Sequence, residues 1–458
     1  MTDNDGARLP AGFVWGVATA AYQIEGAVAE GGRGPSIWDT FVRQPDAIFH
    51  GDDADRACDH YHRWESDLDL MAELGIPAYR LSLSWARLQP AGSGPLNPEG
   101  VEFYRTLIAG CRARGIEPYV TLYHWDLPQP LQDAGGWPDR ATAQRFGEYA
   151  ALVADELGDL AEYWITINEP WCAAFLGHAW GMQAPGHADE TEAVRAAHHL
   201  LLAHGLALAG FRQRRPAAKV GITNIVSNLA PVTDSPADVR ATATVDVRMN
   251  RLFLEPVYRG RYGAEVVAEF GGHGLTDDET GDGLVRPGDL ALIAAPTDFV
   301  GINHYTNTRI QHDPAVAGGV RMIQVAPTPT TFGWSDTPDA LREVLLRVAR
   351  DYSPLPIYVT ENGATFADYP TPDGEVRDPE RVRYLAGYTA AVAEAVAAGA
   401  DVRGYFAWSF LDNFEWSHGY SKRFGLVYVD YPSQRRIPKQ SAYWYRDFIA
   451  HHRTGRNP

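Results

Sequence analysis

Short runs of apolar, β-branched and aromatic residues recur along this chain, separated by longer segments with apolar positions at helical spacing. The runs are FVWGV (13–17), YRLSL (79–83), YVTL (119–122), YWITI (163–167), VGIT (220–223), FVGIN (299–303), PIYVT (356–360) and GYFAW (404–408). Segments 61–74, 99–114, 140–157, 190–213, 338–350 and 380–398 read as helices. The last contains YLAGYTAAVAEAVAAG and stops at Gly399, a fitting C-cap. Strands alternating with helices predict parallel pairing, and eight such units can close into a (β/α)8 barrel. An open doubly wound sheet is the alternative, yet no G-x-G-x-x-G or P-loop follows any run. No linker or composition shift divides the sequence, so one barrel domain over 1–458 is expected. Its surplus over about 250 residues belongs in loops and extensions.

Composition narrows the partners. A net charge of −18 argues against nucleic acid, which needs a basic patch. Thirteen tryptophans and twenty-two tyrosines offer flat faces for ring ligands, although large cores use aromatics too. Cys58, Cys111 and Cys172 are widely spaced and form no CxxC pair, so neither a disulfide framework nor structural zinc is expected. The segment MTDNDGARLPAGF has no basic n-region or apolar h-region. No run of about 18 apolar residues is present to span a membrane. A soluble, cytoplasmic protein is the expectation.

The strand ends are polar. In a barrel they converge on one mouth, where such folds build their sites. They read ATAAYQIEG after strand 1, Arg80 and SWAR on strand 2, YHWDLPQ after strand 3 and NEP after strand 4. NHYTN, ENG and WSFLDNFEW follow strands 6, 7 and 8. Any one could be an ordinary cap; their convergence points to a site. Glu169 and Glu361 stand out, because two acids facing one cleft can hydrolyse a glycosidic bond. One must be protonated and the other ionised at the same pH, which carboxyls in different surroundings can achieve.

The same blocks, in this order, resemble glycoside hydrolase family 1, the β-glucosidase family. FVWGVATAAYQIEGA (13–27), YRLSLSWARLQP (79–90), YHWDLPQPLQDAGGW (123–137), TINEP (166–170), DFVGINHYT (298–306), VTENG (359–363) and WSFLDNFEWSHGYSKRFGLVYVD (408–430) carry the resemblance almost end to end. It implies a single (β/α)8 TIM barrel and a retaining exo-β-glycosidase without cofactor or metal. The substrates implied are small β-glucosides or cello-oligosaccharides. Glu169 would be the acid/base, with a raised pKa, and Glu361 the nucleophile. Arg80 and Tyr305 would keep Glu361 charged and oriented, and Asn168 would bond the sugar 2-OH. Gln23, His124, Trp125, Glu415 and Trp416 would hold the sugar, Trp408 would underlie its ring, and Trp334 would form a platform at the entrance. Trp171 and Leu176 would shape the neck. Glu415 would repel a phosphorylated glycone. His304 replaces a tyrosine common in relatives and leaves the role of Tyr305 intact.

Three other readings stay beside this one. His198, His199 and His204, and the segment GDDADRACDHYH, are candidate metal ligands, but they lack an HExxH frame and do not end strands. A non-catalytic sugar-binding module has no use for paired Glu169 and Glu361. Transfer to a sugar or alcohol in place of water is a variant of the same mechanism. Lys422 and Arg423 read as a loop charge, and Cys172 as a small apolar loop residue rather than a nucleophile.

Overall fold

The computed structural model describes residues 9–276, 283–324, 330–352 and 354–454. Eight strands form the centre: β1 (Val14–Ala18), β2 (Ala78–Ser82), β3 (Glu117–Tyr123), β4 (Tyr163–Asn168), β5 (Lys219–Ile225), β6 (Phe299–Asn303), β7 (Ile357–Asn362) and β8 (Val402–Trp408). They pair in parallel in chain order, and β8 closes onto β1. Closure excludes the open doubly wound sheet. Each strand lies within two residues of its predicted span and each expected helix within one, including Pro379–Ala397, followed two residues on by Gly399 with φ 103°.

Alternation along the strands sorts the core. Trp164, Val300 and Val359 join the large apolar cluster shared with the helices, whereas Tyr119, Ile165, Phe299, Tyr358 and Phe406 form a second cluster. Tyr119 of β3 touches Phe406 of β8 at 4.8 Å between ring centres. Those strands are not neighbours, so the contact crosses the barrel interior. Glycines on the staves make room for this aromatic floor. A Cβ on Gly221 would lie 2.6 Å from the Phe299 ring, and one on Gly404 the same distance from Tyr358.

Two features prepare the mouth. The ladder shifts register between Ile165 and Asn168, where β4 meets β5, and between Val359 and Glu361, where β7 meets β6. Such irregularities re-aim side chains. After β8, a cluster of buried charges fixes the returning chain. Lys439 Nζ lies 2.6 Å from Asp368 and 2.7 Å from Asp412, Arg381 pairs with Asp368 and Asp378, and Arg423 reaches Asp412 at 2.7 Å. Arg423 is thus drawn into this cluster rather than left as a free loop charge. The surplus chain includes a three-stranded sheet (228–231, 307–312, 320–324) and the hairpin 427–438. Among the described residues, no helix is long and apolar enough to cross a membrane.

Candidate active site

Four staves deliver the central groups: β2 carries Arg80, β4 ends in Asn168 and runs into Glu169, β6 ends in Asn303, and β7 carries Glu361. All five are buried. Glu169 has φ 47°, in the left-handed region, and its N–H donates to the Thr223 carbonyl of β5 at 2.9 Å. A non-glycine residue there costs about 1 kcal/mol or more, and such strain concentrates at working sites.

The two carboxyls have different partners. Arg80 donates to Glu361 Oε1 through Nη1 and to Asn168 Oδ1 through Nη2 at 2.7 Å. The Tyr305 hydroxyl donates to Glu361 Oε2 at 2.5 Å. Asn303 Nδ2 donates to Glu169 Oε1 at 2.6 Å and to Asn168 Oδ1 at 3.0 Å, while its Oδ1 accepts from the Thr360 hydroxyl at 2.7 Å. Cys172 Sγ meets the other oxygen of Glu169, Oε2, at 3.0 Å. One acid therefore holds a cation and a phenol, and the other holds only neutral donors.

Electrostatics follow from those partners. Burial pushes the Glu169 carboxyl up to about 8, and the negative charge of Glu361 adds to the rise. The bonds from Cys172 and Asn303 and the charge of Arg80 pull the other way. A carboxyl raised this far keeps its proton near neutral pH, and two acids in such unequal surroundings have the split that acid/base plus nucleophile chemistry requires.

Around this pair lie acceptors without partners. Gln23 Nε2 donates to Asn413 Oδ1 at 3.0 Å and to the Phe414 carbonyl at 2.8 Å. Its Oε1, and Oε2 of Glu415, are buried with no hydrogen-bond partner among the described residues. Burial, with the charges of Glu361 and Glu169, pushes the Glu415 carboxyl up to about 8. Buried unsatisfied acceptors are costly and call for a polar occupant such as a hydroxyl. Burial and the nearby Arg80 hold the His124 imidazole well below its usual range, so it is neutral. The His124 ring lies nearly parallel to Trp408 (5.8 Å, 13°) and Trp416 (6.0 Å, 15°). The Trp125 indole N–H donates to the Asn168 carbonyl at 2.9 Å, and its ring rests 4.7 Å from Trp416. Trp334 is half-buried, stacked 4.0 Å from Phe332 and 5.3 Å from Tyr305. Trp171 is buried and parallel to Phe175 at 6.0 Å, with Leu176 half-buried in the same segment.

The candidate metal ligands are engaged elsewhere. His198 contacts Asp289 and Tyr262, His199 the Trp137 carbonyl, and His204 the Thr166 hydroxyl at 2.7 Å, all buried along the helix Glu190–Arg214. No group of three or more His, Cys, Asp or Glu side chains among the described residues could hold a metal ion. Two residues at the centre were given no role from the sequence. Asn303 opens the polar strand end NHYTN that the sequence singled out, but nothing there set it apart from the other strand-end amides. Cys172 carried no such signal: its contact with Glu169 depends on how the chain turns after Pro170.

The model for the family described as glycosyl hydrolase family 1 matches residues 6–454. The thermostable beta-glucosidase B of Thermobispora bispora is 49% identical over 448 residues, covering 96% of this chain and 90% of that protein. A bifunctional beta-D-glucosidase/beta-D-fucosidase of Bifidobacterium breve is 45% identical, covering 97% of this chain and 98% of that one. Among solved structures, the family 1 β-glucosidase of Thermotoga maritima in complex with isofagomine lactam superposes with a TM-score of 0.93 at 41% identity, covering 98% of this chain and 99% of that one.

Proposed function

The chain belongs to glycosyl hydrolase family 1, and from that membership we infer that it is a retaining exo-β-glycosidase, a β-glucosidase acting on terminal non-reducing β-D-glucosyl residues. Small β-glucosides and cello-oligosaccharides are its substrates, and the catalytic domain spans 1–458. The family match over 6–454 supports that span. Three buried cysteines with no disulfide among the described residues support action in the cytoplasm.

In this reading, Glu361 attacks the anomeric carbon while Glu169 protonates the leaving oxygen. The glycosyl-enzyme has lost the Glu361 charge, so the acidity of Glu169 rises and it serves as base toward the incoming water. A sugar or alcohol arriving in place of water gives transfer. Arg80 and Tyr305 orient the nucleophile. The observation that carries the assignment is the unequal partnering of the two carboxyls, guanidinium and phenol on Glu361 against amide and thiol on Glu169. Gln23 Oε1 and Glu415 Oε2 take glycone hydroxyls, which donate to both. Asn168, His124, Trp125, Trp408 and Trp416 complete the glycone pocket, and Trp334 serves the aglycone. A carboxyl at Glu415 disfavours a phosphorylated glycone, because it supplies no cation to offset the buried charge of a dianion.

The test is a pair of variants. Glu361→Gly is expected to abolish hydrolysis and to yield the inverted glycosyl azide when azide is added. Glu169→Ala is expected to slow substrates with poor leaving groups far more than dinitrophenyl glucosides. Wild-type turnover in both would overturn the assignment.

A further inference from the structure

We infer that Cys172 is a positioning residue for the proton-bearing oxygen of Glu169: its thiol fixes Oε2 in place and donates to it once the proton has left. The inference deepens the acid/base role proposed above and rests on it.

The geometry decides which oxygen bears the proton. A guanidinium has donors only, so the Asn168 atom 2.7 Å from Arg80 Nη2 is the amide oxygen. That oxygen also meets Asn303 at 3.0 Å, so the Asn303 atom facing it is the NH2 group. The same NH2 lies 2.6 Å from Glu169 Oε1. The far end of Asn303 is then its oxygen, which accepts from the Thr360 hydroxyl at 2.7 Å. Oε1 is thus an acceptor in either protonation state, and the neutral acid carries its proton on Oε2. Among the described residues, the one hydrogen-bond partner of Oε2 is the Cys172 thiol, at 3.0 Å.

Local structure puts the thiol there. Glu169 leaves β4 in the left-handed region, and the Cys172 N–H donates back to the Glu169 carbonyl at 3.0 Å as the helical run Cys172–Ala179 begins. The contact is local, so it follows the carboxyl wherever this turn carries it. Burial and the neighbouring Glu169 push the thiol well above its usual range, so it keeps its proton as a donor. The other groups facing Glu169 are the charges of Glu361 and Arg80, with Glu415 and Tyr305 also within electrostatic reach.

The steps balance. In the first, the Oε2–H bond breaks, the proton goes to the leaving oxygen, and that oxygen keeps the electron pair of the broken C–O bond. The thiol then donates its S–H to the new carboxylate. In the second, Oε2 takes a proton from water as the water oxygen bonds the anomeric carbon and Glu361 departs as a carboxylate. Cys172 gains and loses nothing; it holds the oxygen between two events.

The experiment is the pH dependence of kcat/KM for a poor-leaving-group aryl β-glucoside in the full chain and in Cys172→Ala, Cys172→Val and Cys172→Ser. A donor to a carboxylate holds its pKa down, and the basic limb reports the acid of the free enzyme. Loss of the thiol in Ala and Val is expected to move that limb upward by about half a unit or more, while Ser, which keeps a donor, stays near wild type. Val preserves volume and carries the test where Ala fails to fold. An unmoved limb in a folded Ala or Val variant, or an equal shift in Ser, overturns the inference. Glu169→Gln separates the two claims: a basic limb that survives it belongs to Glu415 and removes the acid/base reading itself.

Discussion

Asn303→Asp exchanges one NH2 for an oxygen without changing shape, at a residue that is fully buried. The wild-type amide donates at 2.6 Å to Glu169 and at 3.0 Å to Asn168, whose oxygen Arg80 holds facing it. In the variant both contacts become oxygen against oxygen, and a single proton can satisfy only one of them. Two carboxylates 2.6 Å apart repel by about 6 kcal/mol at an effective dielectric of about 20, so the new pair shares a proton through neutral pH. Donating it to a leaving group creates the doubly charged pair. Half that repulsion, felt where the proton is half transferred, is about 3 kcal/mol, roughly a hundredfold in rate. The assay is kcat/KM across aryl β-glucosides of graded leaving-group acidity. Dinitrophenyl glucoside, which needs little proton donation, is expected to lose far less than phenyl glucoside, so the leaving-group dependence steepens by about two orders of magnitude. An unchanged slope in a folded variant would refute the claim that Asn303 donates to Glu169.

Two further outcomes are expected. Trp171→Ala and Leu176→Ala widen the segment following Glu169, and each is expected to strengthen inhibition by glucose relative to a longer substrate; unchanged inhibition constants in both would sink the idea. Burial pushes the Asp126 carboxyl up to about 8, so its neutral form is favoured in the folded chain, and this stabilisation is complete below about pH 4 and lost as pH rises through about 8. Asp126→Asn is expected to gain several kcal/mol over wild type in urea unfolding at about pH 8 and little at about pH 4, whereas parallel stability curves would contradict it.

The barrel was legible because its staves are short, apolar and bounded by turns, and because alternation with helices leaves few topologies. Glu169 and Glu361 were legible for a different reason: an acid ending an apolar strand has no structural excuse. What sequence could not supply was the wiring. Asn303 looked like one more strand-end amide, and only the closed geometry shows it joining Glu169, Asn168 and Thr360. Cys172 read as apolar filler because a thiol behaves as such unless a turn folds it onto a carboxyl. Arg423 read as a loop charge because its partner Asp412 lies across a fold-back that periodicity does not reveal. That acceptors on Gln23 and Glu415 have no partner among the described residues is a property of their surroundings, with no signature in the residues themselves.

The path from Arg80 through Asn168 and Asn303 to Glu169, with its branch to Glu361, crosses the midline of the barrel. Arg80, Asn168 and Glu169 belong to the first four staves; Asn303 and Glu361 belong to the last four. A half-barrel cut between β4 and β5 would leave a guanidinium without its carboxylate on one side and a carboxylate without its guanidinium on the other, and each half could bury its charge only by rejoining the other. These groups therefore also act as a clasp: two separately produced halves have a polar reason to find each other, and recovered glucosidase turnover would report their reunion.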